Sequence, residues 1–114
     1  MIFPHKVEYR SFQYQKDEYG KPVKVLINSI LVRCVLNIKK VVSKDLEAGL
    51  LIKQNYEMLI RKKDFLKLNP QVGIDEVVID GMEFLVESIE PVFFLSGIEY
   101  YILSLRKKQN ESSS

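Results

Sequence analysis

Apolar and polar residues alternate along most of this chain with a period of two, the pattern of half-buried β-strands. Val7-Glu8-Tyr9-Arg10-Ser11-Phe12-Gln13-Tyr14 mixes aromatic, β-branched and polar positions and predicts a first strand. Gln15 to Lys21 is polar, leads into Gly20 and Pro22, and predicts a turn or exposed loop. Val23 to Ile38 exceeds the length of an ordinary strand, and Asn28-Ser29 marks an expected bend or bulge. Within it Val32, Cys34, Leu36 and Ile38 share one face, with Arg33 and Asn37 on the other. Ser43 to Ala48 carries an N-cap serine and early acids and predicts a short helix. Tyr56 to Arg61 returns to strand, Lys62 to Leu66 reads as one helical turn or a tight loop, and Asn69 to Gly73 is turn chemistry.

The sharpest local signal is Asp75 to Val86. Asp80-Gly81 separates two strand-like runs, and a type I′ turn needs positive φ at both positions, which these residues tolerate. With that turn, Ile79 faces Met82 and Val77 faces Phe84, so Val77, Ile79, Met82, Phe84 and Val86 share an apolar face. Glu76, Glu83 and Glu87 fall on the other, wet face. Pro91 is expected to end this strand, Ser96-Gly97 to turn the chain, and Tyr100 to Leu105 to form a last strand. That strand is apolar on both faces, which points to an oligomer contact as well as a core. The expected fold is all-β: a small β-barrel or sandwich of about six hairpin-connected strands with at most one short helix. Residues 1–106 make a single domain and 107–114 a flexible polar tail.

Composition agrees with a packed domain and narrows the chemistry. The chain has 114 residues, 46% hydrophobic and 28% charged. No apolar run is long enough to span a bilayer, and no apolar stretch precedes the first charges at Lys6, so neither a membrane span nor a signal peptide is expected. Cys34 and His5 are the sole cysteine and histidine, which excludes an intrachain disulfide and a Cys/His zinc centre. Cys34 reads as a small buried residue on a strand, His5 as a solvated terminal one. The five glycines are scattered, with no phosphate-binding loop or dinucleotide fingerprint. Asp75, Glu76, Asp80, Glu83, Glu87 and Glu90 could suggest a glycosidase pair or a hard-cation site. Their alternation with apolar residues reads instead as a solvated strand face plus a turn aspartate. Neither an enzyme nor a cofactor is expected.

Charge is balanced overall, at net +2, but not along the chain. Residues 1–68 hold 14 basic and 7 acidic residues, net +7; residues 69–105 hold 7 acidic residues and no Lys or Arg, net −7; the tail is +2. Either these signs intermix once folded, or they separate into a dipolar surface suited to head-to-tail self-association. On the second reading the subunit-interface candidates are Arg61, Lys62 and Lys63 on one flank and Asp75, Glu76 and Glu83 on the other.

From Tyr56 to Lys107 the order of features resembles the head-completion proteins of tailed bacteriophages, the stopper or head–tail joining (connector) family. The shared scheme is an apolar strand ending in Arg61, a polar turn with Asp64, and the hairpin D-x-V-x-I-D-G-x-x-F-x-V at Asp75 to Val86. The Glu90-Pro91 step, the Gly97 turn and a last strand Y-x-L-x-L-R at Tyr101 to Arg106 follow. The resemblance implies a virion protein of the phage neck, assembled in the host cytoplasm as a homo-oligomeric ring below the portal. Such a ring closes the DNA channel without sequence-specific binding, contacts a portal or adaptor protein above and a tail protein below, and touches no membrane. The alternatives are a related adaptor or tail-terminator ring protein, or an unrelated small β-barrel binding module.

Overall fold

A computed structural model describes residues 2–45 and 49–108, the stretch 39–54 by its backbone. Six antiparallel strands and one helix follow one another as β1 (His5–Lys16), β2 (Pro22–Asp45), β3 (Gly49–Arg61), α1 (Lys62–Leu68), β4 (Glu76–Ile79), β5 (Met82–Phe94) and β6 (Gly97–Lys107). They close into a barrel in the order β1-β2-β3-β6-β5-β4. The expected all-β barrel of about six strands with one short helix is the fold of this chain. Closure depends on three pairs between β1 and β4: Glu8 with Val78, Tyr9 with Val77 and Arg10 with Glu76.

The alternating residues supply the core. Val7 and Tyr9, Val32 and Cys34, Met58 and Ile60, Val77 and Ile79, Phe84 and Val86, and Leu103 and Leu105 all point inward and are buried. The Asp80-Gly81 turn has φ of 50° and 78°, and Ile79 pairs with Met82 and Val77 with Phe84, as the sequence predicts. Cys34 is buried, and burial pushes its thiol pKa up to about 12.

Bulges let long strands bend around so small a barrel. Ser11 pairs with Asn28 and Phe12 with Leu26, which leaves Ile27 unpaired, one residue before the expected bend. In β5 the pairing skips Glu87 between Val86 and Ser88, so the inward face shifts from even positions to Ile89.

Two local expectations are corrected. Residues 43–45 are strand, not helix: Ser43, Lys44 and Asp45 pair with Leu51, Leu50 and Gly49 at the end of an eleven-pair ladder. A single capped turn cannot compete with that ladder, because helix nucleation is unfavourable; residues 46–48 lie outside the described residues. Pro91 does not end β5, which runs on to Phe94. Beyond Val86 the pairs of β5 are with β6 alone, so Pro91 stands on an edge where its missing N–H costs no ladder bond. His5 is exposed, as expected, and its Nδ1 also accepts a bond from the Leu36 N–H at 3.1 Å. On β6 the two tyrosines find aromatic partners within the chain, while Ile98, Tyr100 and Ile102 stay only half-buried. Tyr101 stacks on Phe65 of α1 with ring centroids 3.7 Å apart, and Tyr100 meets Phe3 and Phe94.

The helix is held by position more than by propensity. Its Asn69 cap takes the left-handed conformation and donates to the Phe65 carbonyl, while Asp64 in the first turn pairs with Arg61. Phe65 and the buried Leu68 turn its apolar side onto the barrel. Because β3 pairs with β6 only from Tyr56 to Arg61, residues 39–45 and 49–55 stand out from the barrel as a two-stranded ribbon. The radius of gyration, 16.1 Å, accordingly exceeds the roughly 13 Å of a compact chain of this length.

Candidate functional site

Two acidic residues at the start of β4 end up inside the protein. Asp75 and Glu76 are each 1% exposed. The Asp75 carboxylate accepts three hydrogen bonds, from the Tyr9 hydroxyl (2.6 Å), the Gln71 N–H (2.9 Å) and the Phe12 N–H (3.1 Å). Phe12 sits at the register shift of β1, and the Asp75 carbonyl accepts a bond from the Val86 N–H at 3.0 Å. Burial first, and then the Asp75 carboxylate, push the Tyr9 phenol pKa well above its ordinary value.

Glu76 points to the other side of β4. Lys24 and Lys108 both reach its Oε2, at 2.5 and 3.1 Å, while Oε1 is buried without a hydrogen-bond partner. Burial works to raise the Glu76 pKa, but the two ammonium groups outweigh it and hold the carboxyl below the usual range. Lys108 also reaches Glu83 at 3.5 Å, and its backbone N–H donates to the Glu83 carbonyl. Partial burial disfavours the charged Lys108, yet these carboxylates more than offset it and its pKa is raised. The cluster fastens the end of β6 and the β1–β2 hairpin to the β4–β5 hairpin.

These contacts revise where the six interface candidates lie. Asp75 and Glu76 are not on an exposed acidic flank, because Tyr9, Lys24 and Lys108 arrive from distant parts of the chain and cover them. Alternation assigns Glu76 to a wet face correctly as to side but not as to solvent. Glu83 stays exposed beside Lys108. Arg61 is half-buried, paired with Asp64 and set 5.2 Å over the Phe3 ring. Lys62 and Lys63 are exposed on the first turn of α1. Sequence reading misses the Tyr9–Asp75 bond altogether; the available signal is that a tyrosine on the apolar face of a strand needs an acceptor for its hydroxyl.

Further exposed charge that the fold leaves uncompensated lies elsewhere. Lys6 and Arg33 are directly paired across β1 and β2, both exposed, and neither makes an ion pair among the described residues. Across the barrel, Glu90 on β5 is exposed and likewise unpaired among the described residues, and Glu87 reaches Arg106 only at 3.9 Å. Apolar side chains are exposed on both sides as well, Leu31 on β2 and Phe93, Phe94 and Leu95 at the β5–β6 tip. Among the described residues no three His, Cys, Asp or Glu side chains gather as a metal site requires.

No family model matches the chain, and no curated protein matches it by sequence. Its fold is similar to that of a chain in the virion of a native gene transfer agent particle, with a TM-score of 0.65 at 6% identity. The match covers 95% of this chain and 97% of that one. At this identity the likeness is one of fold.

Proposed function

We propose that this chain is a structural protein of a phage-like virion, a head–tail connector or stopper that forms a ring in the neck, closes the DNA channel and docks the tail. The observation that carries the reading is the fold likeness to a virion chain over nearly the full length of both chains, so the likeness is not confined to a common subdomain. The order of features from Tyr56 to Lys107 supports the narrower neck assignment, since the same hairpin, turn and last strand here build the β4–β5–β6 side of a barrel. A connector works by shape and by contact with its neighbours. The barrel with a ribbon formed by residues 39–45 and 49–55 suits such work, because a rigid body carries an arm that can reach an adjacent subunit or the channel.

The test is to locate the chain in assembled particles and to assemble particles without it. Antibody labelling at the neck, together with full heads that lose DNA and carry no tails when the chain is missing, is the expected result. Complete, stable, tailed particles lacking the chain would overturn the reading. Labelling along the tail or at its head-proximal end would replace it with a tail-tube or terminator role.

A further inference from the structure

We propose that a second copy of this chain docks head to tail, the β5 side of one copy against the β2 side of the next. The inference rests on the connector reading in one respect: it names the surfaces through which such a ring closes.

Topology sets the two sides apart. In the order β1-β2-β3-β6-β5-β4, strands β2 and β5 are three positions apart in a ring of six, so they lie on opposite sides of the barrel. A ring of identical subunits needs two unlike, mutually complementary surfaces separated in this way.

Charge makes the two sides complementary. Like charges directly opposite each other across an antiparallel ladder are destabilising, and Lys6 and Arg33 hold that relation on the β1–β2 face. The fold supplies them no carboxylate among the described residues, unlike Arg10, which pairs with Glu8, and Lys24, which pairs with Glu76. Glu90 on β5 is the converse, an exposed carboxylate in a segment with no Lys or Arg from residue 69 to residue 105. A neighbouring copy brings Glu90 to the Lys6–Arg33 pair and relieves both.

Apolar contact then anchors what charge aligns. Phe93 is 71% exposed and Leu95 wholly exposed at the β5–β6 tip, and Leu31, 62% exposed, lies two residues from Arg33 on the same outer face. Buried aromatic and aliphatic anchors supply most of the affinity in such contacts, and charges at the rim set encounter and register. Pro91 stands in the open edge of β5 and withholds an N–H there, so the contact is made by side chains and not by strand addition.

The experiment is sedimentation velocity on the full chain across concentration and salt, with Arg33→Glu, Glu90→Lys and the double reversal. The expected result is self-association that weakens with added salt, falls at least tenfold in affinity with either single reversal, and recovers most of that loss in the double variant. Lys6→Glu serves as a second basic-side reversal, and circular dichroism with an unfolding midpoint verifies that each variant is folded. A chain that stays monomeric up to millimolar concentration at low salt, or one whose association ignores these reversals, overturns the inference. So does a double reversal without recovery. Failure here is separable from failure of the connector reading: a chain found in the particle neck whose incorporation is indifferent to these residues sinks only the interface. A chain that associates through them yet never enters particles sinks only the neck role.

Discussion

Replacing Asp75 by alanine tests the internal polar junction most directly. The substitution removes the acceptor of the Tyr9 hydroxyl and of the Phe12 and Gln71 N–H groups, at a carboxylate only 1% exposed. Hydrogen bonds to charged groups are each worth roughly 1.5–3 kcal/mol, so three of them set a ceiling of about 5–9 kcal/mol. Two effects lower that figure. The variant no longer buries a charge, and the cleft beside it, lined by Ser11, Asn28, Asn69 and Gln71, admits water to the two backbone donors. Tyr9 is fully buried, so its hydroxyl keeps most of its penalty. The expected loss is therefore about 3–4 kcal/mol, a large share of the roughly 5–15 kcal/mol that holds a domain folded. Tyr9→Phe removes one bond and leaves Asp75 two donors, and should cost about 1–2 kcal/mol. Urea unfolding of both variants and their combination gives a double-mutant cycle, with an expected coupling of at least about 1 kcal/mol. An Asp75→Ala protein within about 0.5 kcal/mol of the parent, or a Tyr9→Phe cost exceeding that of Asp75→Ala, would refute the reasoning.

Three further outcomes are expected. Gly81→Val should destabilise by about 1–2 kcal/mol in thermal unfolding, from backbone strain at φ 78° alone, because nothing lies within 4 Å of the added Cβ. Stability should fall with acid as Glu76 is protonated: its folded pKa is depressed, so its contribution is present above the unfolded value of about 4.3 and is lost as pH falls through the folded one. Lys108 has the opposite sign, with a raised pKa whose contribution is complete below about 10.4 and is lost as pH rises further. Urea midpoints against pH should thus plateau between about 5 and 10, and Glu76→Gln should flatten the acid limb; an unchanged limb would assign it to other carboxylates. Cys34, buried with its thiol pKa near 12, should resist thiol reagents at pH 8 in the native state and react on unfolding, and rapid native labelling would contradict its burial.

Much of the barrel is legible locally because its determinants are local. The Asp80-Gly81 turn needs only two residues that accept positive φ, and the register of Val77 with Phe84 then follows by counting. The inward set Val32 and Cys34, or Leu103 and Leu105, follows from a period of two that holds wherever a strand is regular. Where a strand bulges, as at Ile27 and Glu87, the period breaks, and counting from one side gives the wrong face on the other.

Tertiary structure alone decided the fate of the acidic residues. Nothing near Glu76 in the chain shows that Lys24 and Lys108, 52 and 32 positions away, will enclose it. Nothing near Asp75 shows that Tyr9, 66 positions away, will donate to it. Closing the barrel brings β1 against β4 and carries these partners with it. The sequence by itself determined the Asp80-Gly81 turn, the regular strands around it and which alternating residues are apolar, since each rests on the backbone preferences and hydrophobicity of neighbours in the chain. The extension of β2 over 43–45 and of β5 past Pro91 came instead from pairing with β3 and β6. Which charges remain outside to meet another molecule depended on ring closure, because burial and ion pairing are properties of residues that meet only once the fold is complete.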